Sequence, residues 1–231
     1  MANKGISRRS LIRGTAAAGV AMAGGATASA QIRRRVVVSG AGPVKTYTNK
    51  DFYDAGGKFL VEKAKAAYFE MMERFHYPIP DKLRKEMWVL DFGLNDFVHV
   101  GMAGIFWLNR KDYNYFGHEI YLLPGQMIVE HAHVATDVAA KMESWQPRHG
   151  MIYTFGEGEE TKPLPVKPPE SQEQFRTVKH CEPLYPGECR DLNRLEAKHF
   201  MLAGPEGAIV TEYATYHDGK GLRFSNPNAK V

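Results

Sequence analysis

The segment Gly125-Gln126-Met127-Ile128-Val129-Glu130-His131-Ala132-His133, with Lys141-Met142-Glu143 and Gly150 behind it, sets two imidazoles one residue apart. Side chains alternate along a β-strand with period 2, so His131 and His133 point to the same face. A carboxylate, Glu143, follows ten residues after His133, and a glycine follows it with six residues between. Imidazole and carboxylate together suit a divalent transition metal. The pattern predicts a strand-borne metal site, and a metal site of this kind predicts an enzyme.

The texture on either side of that segment agrees with strands. From Val89 onward, short apolar or alternating runs are separated by Gly, Pro, Asn and Asp: Phe97–Val100, Ile105–Leu108, Glu119–Leu123, Met127–His133, Met151–Phe155, His199–Leu202 and Ala208–Tyr213. Many short strands at regular spacing predict an all-β sandwich or barrel. Residues 156–173, rich in Glu, Lys and Pro, read as a surface excursion. Upstream, the spacing predicts a helix over 51–75, because Leu60, Ala64, Ala67, Met71 and Phe75 recur at helical period. Lys58, Glu62, Lys65, Glu73 and Arg74 take the other face. Pro78 and Pro80 end it, and a second short helix is expected over 81–87.

The N-terminus reads as a targeting signal. Ser7-Arg8-Arg9-Ser10-Leu11-Ile12-Arg13 precedes an Ala/Gly-rich run that closes on Ala28-Ser29-Ala30. Paired arginines, a mildly apolar run and a small-residue site in that order predict a twin-arginine export signal over 1–30, cleaved after Ala30. That implies recognition by the twin-arginine translocation machinery and a periplasmic or otherwise extracytoplasmic location. Residues 1–30 hold Lys4, Arg8, Arg9 and Arg13 and no acid, so the formal charge of +4 belongs to the signal. The remainder is neutral, which argues against a nucleic-acid footprint. Arg33-Arg34-Arg35 reads as a solvated leader. No later run is long and apolar enough to cross a membrane. The expected organisation is a signal over 1–30, a leader over 31–50 with a short strand at 36–38, a helical segment over 51–88 packed on a barrel, and the barrel over 89–231 as one domain. Cys181 and Cys189 flank a turn holding Pro183, Pro186 and Gly187. In an oxidising compartment they could form a disulfide; the alternative is two free thiols.

A helix followed by a barrel carrying Gly-x5-His-x-His…Glu-x6-Gly resembles the cupin superfamily. The resemblance implies a mainly β, jelly-roll domain in which His131, His133 and Glu143 fall on the first cupin motif and His199 on the second. Together they would make a three-histidine, one-glutamate metal site. The usual motif has three or four residues between the second histidine and the glutamate. Here nine intervene, making 134–140 an insertion; Asp137 and Glu130 are the alternative carboxylates. For His199 the competing reading is a hydrogen-bonded core histidine. His149 and His180 sit beside turns and read as structural or exposed.

Within the superfamily the chain resembles the D-lyxose isomerase family. The carrying segments are Leu90-Asp91-Phe92-Gly93-Leu94-Asn95-Asp96-Phe97, Gly101-Met102, Pro124-Gly125-Gln126, the Lys141-Met142-Glu143 element, and Ile209-Val210-Thr211-Glu212-Tyr213 followed by Asp218 and Arg223-Phe224-Ser225-Asn226. The likeness spans roughly residues 59–226. It implies aldose–ketose isomerisation of a free sugar such as D-lyxose or D-mannose, with a divalent metal polarising the carbonyl and stabilising the enediolate. The expected ion is Mn(II), with Fe(II) or Zn(II) as alternatives, and the expected assembly is a homodimer. Glu212 is the candidate base and Lys141 the candidate group that neutralises the developing oxyanion. The competing readings are a salt bridge from Glu212 to Arg223 and a surface charge at Lys141. Arg223, Asp218 and His217 are candidate hydroxyl-binding residues. The competing functions are a sugar-binding cupin without chemistry and a metal-dependent cupin dioxygenase.

Overall fold

The computed structural model describes residues 40–231. The export signal, its cleavage site, the Arg33–Arg35 cluster and the short strand expected at 36–38 lie outside the described residues.

A 3-10 turn at Asn49–Asp51 leads to helix α1 (Val61–Arg74), helix α2 (Asp81–Glu86) and strand β1 (Trp88–Leu90). Strands β2 (Met102–Arg110), β3 (Tyr115–Leu122), β4 (His131–His133) and β5 (Glu143–Gly156) follow. After the excursion and a short helix α3 (Glu170–Glu173) come β6 (His180–Leu184), β7 (Arg190–Asp191), β8 (Phe200–Ala214), a 3-10 turn at Gly219–Gly221 and β9 (Leu222–Phe224). The main sheet runs β1-β2-β3-β8-β5-β6, with β7 on β5, and β4 pairs β9 in a second sheet. Every strand pairing is antiparallel. This is the mainly β, cupin-type jelly roll expected from the sequence, with its helical segment in front.

Period-2 alternation splits the sheet into two cores. Met102, Ile120, Leu122, Ala208 and Val210 face the barrel interior. Their neighbours Ala103, Ile105, Tyr121, Leu123 and Ile209 face outward, where Ala64, Ala67, Tyr68, Met71 and Met72 of α1 cover them. The apolar stripe of the helix is therefore the lid of the outer sheet face. Burying a side chain of this size contributes about 1.5–3 kcal/mol.

α1 begins ten residues later than its periodicity suggests. Asp54 Oδ1 accepts from the backbone N–H of Gly56 and of Lys58, each at 2.9 Å. Gly57 turns the chain at φ 79°, and Tyr53 bridges Phe59. An aspartate folding the chain onto its own backbone competes with the helix there. At the other end the helix stops at Arg74, before Pro78 is reached: His76 turns left-handed at φ 54° and Tyr77 N–H donates to Met72 O at 2.8 Å. The run 97–100 is a turn, not a strand: the Asp96 carbonyl accepts from His99 N–H at 3.0 Å and Val100 N–H at 2.7 Å.

The disulfide does not form. Cys181 is a buried free thiol and Cys189 an exposed one. Cys181 sits opposite Phe155 and packs with Phe200 and Val178, so its side chain is committed to an apolar cluster while Cys189 lies in an exposed turn.

Candidate metal centre

Strand register brings the chemistry-bearing side chains together. The backbones of His131 and His199 form an isolated antiparallel bridge, and β4 continues as Ala132↔Arg223 and His133↔Leu222 on β9. On the main sheet, Phe106↔His118, His118↔Glu212 and Glu212↔Trp145 form one row across β2, β3, β8 and β5. Glu143 lies two residues along β5 from Trp145 and shares its inward face.

His131, His133, Glu143 and His199 each offer one ligand atom, and these atoms all lie within 4.8 Å of one another. His199 Nε2 is 2.6 Å from Glu143 Oε1, and His133 Nε2 is 3.6 Å from Glu143 Oε2. The carbonyl oxygen of Val129 can only accept, so His131 Nδ1–H donates to it at 2.9 Å; His199 Nδ1–H donates likewise to Ala197 O at 2.9 Å. Each bond fixes the ring and turns Nε2 toward the cluster, the usual orientation of a metal-binding imidazole. Burial opposes a charge on His199, but Glu143 beside it prevails and raises its pKa, so a metal taking that nitrogen would displace a proton. His133 is buried with no hydrogen bond to its Nδ1. Three oriented imidazoles and a buried carboxylate in so small a space fit a divalent transition ion.

The insertion does not displace Glu143. Its loop is tied down by Val134 N–H to Gly221 O at 2.9 Å and Thr136 Oγ1–H to Asp218 Oδ2 at 2.7 Å, then re-enters the barrel at Ala140. Neither alternative carboxylate is at the site. Asp137 is exposed, 3.7 Å from Lys111 Nζ. Glu130 is buried elsewhere and accepts from Thr177 N–H at 2.7 Å, Val178 N–H at 3.0 Å and Ser225 Oγ–H at 2.5 Å.

Lys141 is no surface charge. It is buried, with Nζ 2.6 Å from Glu143 Oε2, and it also donates to Glu212 Oε1. Burial opposes its charge, but the two carboxylates more than offset that and raise its pKa. Burial alone would raise the Glu143 carboxyl; Lys141, then His199, hold it well below the usual carboxylate range. Glu212 is lowered too, with Lys141 prevailing over burial. Burial, with the His199 charge beside it, lowers His131 to about 3, which keeps it neutral and able to ligate. Burial and then the Lys141 charge lower His217 to about 4.

The ion-pair partner of Glu212 is Lys141, not Arg223. Arg223 pairs with Ala132, the residue between the two facing histidines, and alternation turns it outward. Its guanidinium donates to the carbonyls of Lys220 and Leu222 at 2.7 and 2.8 Å. Asp218 accepts from Thr136 and from Lys220 N–H and caps the following turn, so it is a loop tie outside the cavity. His217 does line the cavity, its ring 5.8 Å from that of His133 and stacked on Phe116. His149 packs outside the barrel against Phe75 and Tyr77, and His180 is held at Glu159 O and Glu182.

One residue at this centre escaped the sequence reading. His118 is buried, with Nδ1 3.1 Å from Glu212 Oε2. Its ring stacks on Trp88 at 5.4 Å. The signal was present in the inward phase of Phe116, His118, Ile120 and Leu122 along β3, but a histidine in such a run carries no partner until strand register supplies Glu212.

No family model matches the chain. The D-lyxose/D-mannose isomerase of Thermosediminibacter oceani is 31% identical over 174 residues, covering 75% of this chain and 94% of that protein. The D-lyxose ketol-isomerase of a Thermofilum species is 30% identical over 176 residues, covering 75% and 95%. Among solved structures, the L-ribose isomerase of Cellulomonas parahominis matches with a TM-score of 0.57 at 13% identity, over 78% of this chain and 96% of that one. The L-ribose isomerase of Acinetobacter sp. DL28, solved with L-ribose, matches with a TM-score of 0.53 at 16% identity, over 73% and 90%. These structural likenesses speak to the fold.

Proposed function

The chain belongs to the D-lyxose isomerase family and is a sugar aldose–ketose isomerase, and from that premise we propose how its centre works. His131, His133, Glu143 and His199 would hold a divalent metal, which would supply Lewis acidity for the carbonyl of an open-chain sugar. Glu212 moves the proton between the two carbons of the carbonyl end. Lys141 stands against Glu212 and Glu143 and balances negative charge as it develops.

One observation carries this reading. The buried lysine links the carboxylate of the metal cluster to a second buried carboxylate that belongs to no ligand set. A site that only bound sugar would need neither Lys141 nor Glu212. The low pKa of Glu212 makes it a weak base while Lys141 is paired with it. Lys141 shares its proton donors between the two carboxylates.

Metal identity extends the proposal: Mn(II), with Fe(II) or Zn(II) as alternatives. So do export by the twin-arginine route, which lets the protein fold and load its ion before it meets the outside, and assembly as a homodimer. The test of the central reading is metal-loaded protein incubated in D2O with D-lyxose, D-mannose and their ketoses. The expected result is interconversion with solvent deuterium entering next to the carbonyl. Full metal occupancy with no ketose formed from any of them would overturn it.

A further inference from the structure

The cavity beside the metal cluster measures about 300 Å³, at the small end for a ligand pocket. Its polar side chains are not spread around the wall. His199, Glu143, Lys141, Glu212 and His118 touch in sequence; His131 packs tilted on His199, His133 stacks on His199, and His217 meets His133 edge-on. The buried Trp88 indole N–H and His118 Nε2 are without hydrogen-bond partners, and they too sit together, on stacked rings. The remaining side chains of the wall are carbon, Leu90, Phe92, Met102, Ile128, Leu222 and Phe224 among them, and Gly219 and Val231 complete the lining. Among the described residues, no Asn, Gln, Ser, Thr, Tyr, Asp or Arg side chain lines this cavity. Arg223 and Asp218, the sequence candidates for hydroxyl binding, lie outside this cavity and are tied down elsewhere.

A simple aldose carries a hydroxyl on every carbon beyond its carbonyl. The polar group can satisfy those nearest the reacting carbons. A hydroxyl at the far end, laid against leucine, phenylalanine and methionine, loses its water and gains no partner. A methyl group there loses nothing and gains contact area. We propose that the preferred substrate is a terminally deoxygenated sugar, a 6-deoxyhexose or 5-deoxypentose, whose polar end meets the cluster and whose methyl end meets the carbon wall. The proposal rests on the isomerase reading for which end of the sugar meets the metal cluster.

The test compares matched pairs on Mn(II)-loaded full-length protein: D-mannose against 6-deoxy-D-mannose, and D-lyxose against 5-deoxy-D-lyxose. Binding is measured by calorimetry and turnover by ketose formation. The deoxy member should bind roughly 10- to 100-fold more tightly, with kcat/KM shifted the same way, the range open to an apolar pocket facing an added hydroxyl. Equal or tighter binding of the parent sugars overturns the inference, whatever the turnover. Binding of neither pair overturns it as well. Tighter binding of the deoxy sugars with no turnover of any sugar upholds the cavity's preference for a deoxygenated end and overturns the isomerase reading instead. Met102→Gln, which puts an amide into the carbon wall, should narrow the preference. If that protein fails to fold, the paired titrations on the unmodified chain still decide.

Discussion

His131 and His199 exchange both of their backbone hydrogen bonds, His131 N–H to the His199 carbonyl at 3.0 Å and His199 N–H to the His131 carbonyl at 2.9 Å. Residues paired this way put their side chains on one face. The imidazole rings accordingly lie 4.3 Å apart by centroid. The second half of the metal cluster is thus placed by backbone pairing, not by the side chains that use it. His199→Asn should keep the pairing and the fold while losing a ligand. Metal affinity should fall by more than the 10- to 100-fold typical of losing an outer-shell partner. Metal content after dialysis, read beside an unchanged circular dichroism spectrum, checks this.

Glu212 touches Lys141 and His118 and no member of the ligand set at bonding distance. Its chemistry and the metal's binding should therefore separate. Glu212→Gln keeps the shape and removes the base. Turnover should drop by roughly 100- to 10,000-fold, the range for general base catalysis, with metal content unchanged. Turnover within tenfold of the parent would remove Glu212 from its role.

Among the described residues, Lys141 is the only lysine or arginine that lines this cavity, and it stands between its two carboxylates. Breaking a buried ion pair from one side leaves charge without compensation, at a cost of about 3–5 kcal/mol. Lys141→Met should destabilise the metal-free protein by that order, read from urea unfolding. The loss should be smaller with metal bound, because the ion supplies positive charge to Glu143. Equal losses with and without metal would show that Lys141 answers mainly to Glu212.

These residues differ in how far sequence could reach them. His131 and His133 were legible from the two-residue spacing alone, since one strand decides their direction. Glu143 was legible from its place in a motif, and the insertion before it proved to be a tethered loop. Lys141 and Glu212 were nameable, yet their pairing was not, because it depends on how the end of one inserted loop meets a strand much later in the chain. Arg223 shows the same gap in reverse. The likeness of its segment pointed to the site, and its register opposite Ala132 points it away. The start of α1 shows local chemistry beating periodicity, with Asp54 folding the chain onto itself before the stripe can begin.

Gly150 tests the link between motif and barrel. It sits at φ 67° beside Gly207 at φ 81°, and a Cβ on Gly150 would strike the Gly207 carbonyl. The pair lies where β5 and β8 shift register between 150 and 152, the bend that lets both strands serve two parts of the barrel. Before that bend β5 carries Glu143 and Trp145; beyond it, Ile152 packs the same interior and Phe155 a separate cluster with Phe200. Gly150→Ala therefore demands left-handed backbone from a residue that avoids it and pushes a methyl into the partner strand. The strain should cost about 1–3 kcal/mol. It should also move Glu143 relative to His199, since the two are joined through this stretch of β5 and β8. The expected result is a lower urea midpoint together with weaker metal retention. A glycine that served only the turn would lose stability and keep its metal, so the two readouts measured on one variant distinguish a loop requirement from a site requirement.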